Sequence, residues 1–368
     1  MRVLISGGGT GGHVNPALAI AGEIRARNPG AKIKFVGTRH GLESRLVTKE
    51  GFDIEYIEVS GLKHSLSLKN VKLLFKAALA VKKCKSIIRD FNPDIVIGTG
   101  GYVSGPVVKA AQSLGIKTAI HEQNAFPGIT TRMLSKKADK VFLSFRGVGN
   151  LSRTDNTVLT GNPVRTEITR VDKTASRRVL NLDARPMILS YGGSLGARNL
   201  NIAMADLIIK TSEDKEYIHI HGAGKRYFSL MEDILKKSGI NFKKNKDIII
   251  SEYIYDMARV MAGADVVICR AGAITLAEIA ILGKPAILIP SPNVTDNHQF
   301  FNAKVFADNG AAVIIEDKDL TGERLQSELN KILSEPSALR EMSKNALKLA
   351  KPNALKTIAD EITALVKQ

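Results

Sequence analysis

Through residue 143, short apolar runs alternate with longer stretches in which apolar side chains recur every three or four positions. Val3-Leu4-Ile5, Lys32 to Val36, Ile54 to Val59, Asp94 to Ile97, Thr118-Ala119-Ile120 and Val141-Phe142-Leu143 read as strands. Runs that are apolar throughout, with helices between them, predict a parallel sheet covered on both faces. The first helix is expected to open at Pro16 and to carry Leu18, Ile20 and Ile24.

The pattern restarts after residues 165–185, a polar stretch rich in Arg and Asp that ends at Pro186 and reads as a linker. Met187 to Ser190, Tyr217 to Ile220, Ile248-Ile249-Ile250, Val266-Val267-Ile268 and Ala286 to Ile289 are the strands of the second round. The remainder reads as helical, with clear segments at Leu320 to Leu333 and Ala338 to Ala350. A chain of 368 residues exceeds the ~250–300 at which single cores stop growing. The expected boundaries are 1–164 and 165–368, with the last helix packing back on the first domain. The fold class is α/β: two Rossmann-like, doubly wound domains facing a cleft. Ligands in such folds sit outside the carboxyl ends of the strands.

Composition adds two constraints. Lys plus Arg is 53 against 36 Asp plus Glu, a net charge of +17, which favours a polyanionic partner without saying which. Only two cysteines occur, Cys84 and Cys269, in no CxxC motif; they read as buried thiols in a reducing compartment. The N-terminus runs directly into glycines without a signal-type apolar region, and no stretch of ~18 apolar residues exists. The expected location is therefore cytosolic, or peripheral on the cytosolic face of a membrane. Leu62 to Lys85 mixes Lys63, Lys69, Lys72, Lys76, Lys82, Lys83 and Lys85 with apolar residues. One face of such a helix can cover the sheet and the other can lie on anionic lipid. Aromatics are only 5% and Trp is absent, which argues against a nucleic-acid partner.

Four strand ends carry glycine turns: Gly7 to His13, Gly98 to Pro106, Gly192 to Arg198 and Arg270 to Thr275. Glycine permits close backbone approach, and the helix that follows offers unpaired N–H groups to a phosphate. Gly7, Gly9 and Gly12 match GxGxxG, the device of dinucleotide enzymes. The acidic residue expected at the end of the second strand is missing from Phe35-Val36-Gly37-Thr38-Arg39, which counts against NAD. Glu278, expected one turn into a helix starting near Ala273, either accepts ribose hydroxyls or stabilises that helix start. Asp296-Asn297-His298-Gln299 either reads sugar hydroxyls or caps the next helix.

GGTGGH (Gly8–His13), GTGGYVSGP (Gly98–Pro106), HEQNAFPG (His121–Gly128), GNPVR (Gly161–Arg165), GGSLGARNLN (Gly192–Asn201) and CRAGAITLAE (Cys269–Glu278) stand in order along the chain. This set resembles the MurG family of glycosyltransferases. The resemblance implies a GT-B fold and transfer of N-acetylglucosamine from UDP-GlcNAc to lipid I, an undecaprenyl-diphosphate-linked MurNAc-pentapeptide, in peptidoglycan synthesis. It also implies an inverting reaction with no metal and no cofactor. Thr10, Gly11 and Gly12 resemble the family's turn facing the donor, and Asn124 its asparagine at the sugar. Arg165 is similar to its hinge arginine, Ser194 to its diphosphate-binding serine and Ile254 to the residue whose backbone reads uracil. Ala273, Ile274, Thr275, Leu276, Ala277 and Glu278 resemble its ribose- and phosphate-binding run, and Gln299 its sugar-reading glutamine. Leu195 departs from the glutamine of many members.

Inversion requires a base for the acceptor hydroxyl. His13 is the first candidate and Glu122 the rival. A diacylglycerol glycosyltransferase, a UDP-sugar epimerase and a non-enzymatic nucleotide- or nucleic-acid-binding module are the alternatives.

Overall fold

A computed structural model describes residues 1–59, 69–147, 151, 153–213 and 215–367, with the side chains of residues 69–77 excepted. The chain forms two compact units, Met1–Val164 together with Pro352–Gln368, and Arg165–Lys351.

The first unit is built on β1 (Arg2–Ser6), α1 (Gly11–Arg27), β2 (Lys32–Gly37), α2 (Leu42–Lys49), β3 (Asp53–Tyr56) and α3 (Lys69–Phe91). It continues through β4 (Ile95–Gly98), α4 (Gly101–Ser113), β5 (Lys117–Glu122), α5 (Ile129–Leu134), β6 (Lys140–Leu143) and β7 (Thr157–Leu159). The strands form one sheet in the order β3-β2-β1-β4-β5-β6-β7, and every pair is parallel. Winding reverses between β1 and β4, so the carboxyl ends of these two strands diverge into a crevice. Val3, Ile5, Ile95 and Ile97 point to one apolar layer, while Leu4 and Val96 point to the other. That two-sided burial explains why the strands are apolar throughout rather than alternating.

The second unit begins with α6 (Lys173–Val179) and β8 (Met187–Tyr191), then α7 (Arg198–Thr211), β9 (Ile218–Gly222), α8 (Phe228–Lys237), β10 (Ile248–Ser251) and α9 (Met257–Gly263). β11 (Val266–Cys269), α10 (Ala273–Ile281), β12 (Ala286–Leu288), α11 (His298–Asp308), β13 (Ala312–Ile314), α12 (Gly322–Ser334) and α13 (Pro336–Leu349) complete it. Its sheet, again all parallel, has the order β10-β9-β8-β11-β12-β13, with the reversal between β8 and β11.

Three expectations change. α1 starts at Gly11, five residues before Pro16, which sits inside the helix. Stretch 165–185 is no linker, because α6 is fastened to the second unit: Lys173 and Arg177 both pair with Asp265, which also accepts from the Met187 amide at 2.8 Å. Short strands β7 and β13, of three residues each, escaped the pattern reading.

The last helix, α14 (Ala354–Lys367), packs on the first unit. Ile358, Ile362 and Leu365 enter the layer formed by Val3, Ile5 and α1. Arg27–Asp360 and Lys140–Glu361 ion pairs border that contact at 2.5 and 2.9 Å. Ile362 is fully buried, so Ile362→Ala is expected to cost about 2–5 kcal/mol in denaturant unfolding of the first unit. A loss under ~1 kcal/mol would remove this helix from the core.

Candidate active site

In the first unit the predicted residues stand at the carboxyl ends of β1 and β5. The loop after β1 carries Thr10, Gly11 and Gly12 into α1, and His13 is the third residue of that helix. Gly101, at φ +78°, lets the loop after β4 approach: a Cβ there would stand 2.2 Å from the Gly8 carbonyl oxygen and 3.2 Å from the His13 ring. His13 Nδ1 lies 3.1 Å from the Thr99 carbonyl and 3.1 Å from Gln123 Oε1. Two acceptors at Nδ1 select the Nδ1–H tautomer, which places the basic lone pair on Nε2. Gln123 donates in turn to the Thr99 carbonyl at 2.8 Å and to His121 Nδ1 at 2.8 Å. The ring of His13 is thus held by a buried chain that reaches into β5.

Glu122 differs from expectation. It is 3% exposed, and its carboxylate accepts from four donors. The Asn124 amide and side chain reach Oε1 at 3.0 and 3.2 Å, and the Gly128 amide and Thr131 hydroxyl reach Oε2 at 3.1 and 2.6 Å. A carboxylate so enclosed fixes the loop that carries Asn124 and has no lone pair directed at a substrate proton. Its four bonds tie β5 to the loop that carries Asn124 and to Thr131 of α5.

In the second unit a cavity of about 420 Å³ opens at the β8/β11 crevice. Thr275 and Gln299, both predicted, line it together with Tyr191, Arg198, Tyr227 and Arg270, which were not. The loop after β8 turns at Gly196, φ +78°, where a Cβ would stand 2.1 Å from the Ala223 carbonyl oxygen. Ser194 and Leu195 project from this loop, Leu195 at 75% exposure. The N-cap residues of α7 and α10, Ala197 and Gly272, give no side-chain cap, and both helix starts border the cavity. Helix starts beside Arg198 and Arg270 suit an anion. Arg270 is itself held by Asp317 at 2.5 Å and by the Pro290 carbonyl at 3.1 Å.

Glu278 lies in the second turn of α10, too deep to be a first-turn dipole partner. It is 6% exposed and pairs with Arg165, whose Nε and Nη2 reach Oε1 at 3.0 and 2.9 Å. Burial raises its pKa, and Arg165 opposes that rise. Ala273 and Leu276 are buried in the same helix, while Ile274 and Ala277 are half-buried. Ile254 is buried against Gly222, where its Cδ1 would stand 3.3 Å from an added Cβ. Gln299 Oε1 accepts from the Ser291 amide at 2.9 Å. Asp296 and Asn297 both adopt positive φ, +53° and +49°, and Asn297 makes no side-chain cap, so helix capping does not explain this run. Tyr191 was missed because its significance is long-range: it ends β8 and its hydroxyl is buried beside Thr275 and Cys269. Cys84 and Cys269 are both buried, and desolvation pushes each thiol up to about 12. Among the described residues no group of three His, Cys, Asp or Glu side chains converges as a metal site.

The chain matches the glycosyltransferase family 28 N-terminal domain over residues 3–143 and the family 28 C-terminal domain over residues 187–361. It is 45% identical to the UDP-N-acetylglucosamine--N-acetylmuramyl-(pentapeptide) pyrophosphoryl-undecaprenol N-acetylglucosamine transferase of Desulforamulus reducens, over 97% of each chain. A protein of the same name from Acetivibrio thermocellus is 42% identical over 100% of this chain and 99% of its own. The crystal structure of Acinetobacter baumannii MurG superposes with a TM-score of 0.79 at 31% identity, covering 99% of both chains.

Three histidines in these sheets are held neutral by desolvation: His121 and His219 titrate at about 4 and His221 at about 3, below the ordinary 6.5. As pH falls from 6.5 to about 4, the unfolded chain takes up protons that the folded chain refuses, so stability falls with acid across that window. The unfolding midpoint is expected to drop over it, and His121→Asn to drop less steeply than the parent. Parallel slopes for the two would remove His121 from this account.

Proposed function

The chain belongs to the MurG family of glycosyltransferases, and we infer that its two units divide the family's reaction between them. It transfers N-acetylglucosamine from UDP-GlcNAc to lipid-linked MurNAc-pentapeptide, the step from lipid I to lipid II in peptidoglycan synthesis. The donor belongs to the second unit. The observation that carries this assignment is the cavity at the β8/β11 reversal, where the starts of α7 and α10 together with Arg198 and Arg270 suit a diphosphate. Ser194 and the amides from Ala273 to Thr275 take the diphosphate, Glu278 the ribose, the backbone at Ile254 the uracil. Gln299 reads the sugar through its amide nitrogen, since its oxygen is occupied by the Ser291 amide.

The acceptor's 4-hydroxyl attacks the anomeric carbon as the bond to UDP breaks, inverting the configuration. His13 Nε2 takes the hydroxyl proton, and the Nδ1–H held by Thr99 and Gln123 steadies the imidazolium that forms. Thr10, Gly11 and Gly12 face the donor in this reading, and Glu122 holds Asn124 in place for the sugar. Negative charge growing on the departing diphosphate is met by the helix-start amides, Arg270 and Arg165, which supply the stabilisation a divalent ion gives elsewhere.

Among the described residues no helix is long and apolar enough to cross a membrane. The lipid-linked acceptor brings the protein to the cytoplasmic face of the cell membrane, where its excess of 17 positive charges favours anionic lipid. Residues 60–68 of the basic segment, and the side chains of 69–77, lie outside the described residues. In the remainder of α3, Cys84, Ile87 and Ile88 face the core, while Leu79, Lys82, Lys83 and Arg89 face outward. This face is the docking surface in our reading. No nucleic-acid partner is part of it.

His13→Ala is expected to lower kcat by about 10²–10⁴-fold with UDP affinity unchanged in calorimetry, and the parent's rate to persist in excess EDTA. An undiminished kcat for His13→Ala would end its role as base, and abolition by EDTA with rescue by Mg²⁺ would end the metal-independent mechanism. Reversing Lys82 and Lys83 to glutamate is expected to release the protein from phosphatidylglycerol vesicles in sedimentation. Unchanged sedimentation would move the docking surface elsewhere.

A further inference from the structure

The motif Gly192–Asn201 ends on an asparagine that takes no part in the donor chemistry above. Asn201 is the fourth residue of α7 and is fully buried. Its Nδ2 donates to the Ala223 carbonyl at 2.8 Å, just past the end of β9. That carbonyl is pressed against the loop after β8. A Cβ on Gly196 would stand 2.1 Å from the Ala223 oxygen, and one on Gly224 2.3 Å from the Gly196 nitrogen. Glycine on both sides therefore brings the turn after β9 into backbone contact with the loop that carries Ser194.

Behind Asn201 stands His221, the fourth residue of β9, also fully buried. Its Nε2 lies 3.0 Å from Asn201 Oδ1. Its Nδ1 lies 2.7 Å from the hydroxyl of Ser190, its register partner in β8. The polarity of this chain is fixed from its far end. A carbonyl can only accept, so Ala223 faces the NH2 of Asn201 and the amide oxygen turns to His221. Nε2 must then carry the ring proton, and Nδ1 accepts from the Ser190 O–H. Desolvation pushes His221 down to about 3, so the ring stays neutral and keeps one nitrogen as an acceptor.

We propose that His221 is a positioning residue for the donor diphosphate: its Nε2–H fixes the Asn201 amide, and through it the Ala223 carbonyl and the glycine loop after β8. The inference rests on the assignment of the donor to this unit. Without the Nε2 donor the Asn201 amide is free to turn over, and its oxygen then opposes the Ala223 oxygen with no proton between them. Two buried acceptors left that way are costly, and the turn backs off from Gly196. The loop that holds the diphosphate loses its support, while the backbone at Ile254 that reads uracil does not depend on this chain. His221 touches no reacting atom.

Two substitutions separate this role from packing. The amide nitrogen of glutamine reaches as far along the side chain as Nε2 of histidine, whereas that of asparagine reaches only as far as Nδ1. His221→Gln is expected to keep the bond to Asn201 and to bind UDP within about threefold of the parent in calorimetry. His221→Asn is expected to lose that bond and to bind UDP roughly tenfold more weakly, with KM for UDP-GlcNAc raised to match and with uridine affinity and kcat at saturating donor within about threefold of the parent. In the parent itself, long-range nitrogen–proton correlation spectra of labelled histidine are expected to show His221 as the Nε2–H tautomer, with that resonance moving on addition of UDP and not of uridine. Unchanged UDP binding by His221→Asn, equal losses in the two variants, a loss of uridine affinity as large as that of UDP, or an Nδ1–H tautomer in the parent would each overturn the proposal. Absence of UDP binding by the parent would instead overturn the donor assignment, and the same titrations tell the two failures apart.

Discussion

A parallel sheet puts the carboxyl ends of all its strands on one edge, and a reversal of winding leaves a crevice on that edge between two neighbours. Each unit of this chain obeys that constraint once, between β1 and β4 in the first and between β8 and β11 in the second. At each crevice both flanking strands end in glycine turns followed by helices, so N–H groups converge with no side chain needed to present them. The apolar strands, the layers of Val and Ile on both faces and the ion pairs that seat α6 and α14 all serve to hold these edges still.

The same device has different charged neighbours in the two units. Around the second-unit cavity the amides are joined by Arg198 and Arg270, and Asp317 steadies the latter without lying among the amides. In the first unit Glu43 sits under the loop itself. The two loops open alike, on Gly7-Gly8 and Gly192-Gly193, and differ in the charged side chains beside them.

What could be read from the sequence follows from range. Glycine turns after apolar strands are local, and they located both crevices. His13 stands out for the same reason, directly following that turn as the third residue of α1. Residues whose meaning lies in a distant partner do not: Glu43 reaching back to Thr38 and Gly9, Tyr191 beneath Thr275, Arg270 held by Asp317. Misreadings share this origin. Stretch 165–185 is polar because its charges meet Asp265 and Asp247 across the unit, and a polar composition without its partners reads as a linker. The four donors around Glu122, from Asn124, Gly128 and Thr131, are likewise set by the loop after β5 and not by the strand end itself. Three-residue strands such as β13 are too short for periodicity and are held by their neighbours in the sheet.

Arg165 and Glu278 show how such a site keeps a buried charge ready. Burial of the carboxyl in α10 raises its pKa and so works against its charged form. Arg165, half exposed, supplies the opposing charge from the first residue of the unit, and its pull on Glu278 runs against the effect of burial. Both bonds converge on Oε1, so Oε2 is the oxygen through which a ligand can be read without separating the pair. A buried ion pair of this kind adds little to stability, because desolvation offsets its attraction. What the pair supplies instead is orientation: a buried carboxyl whose Oε1 is fixed by two bonds from Arg165 and whose Oε2 takes no part in them.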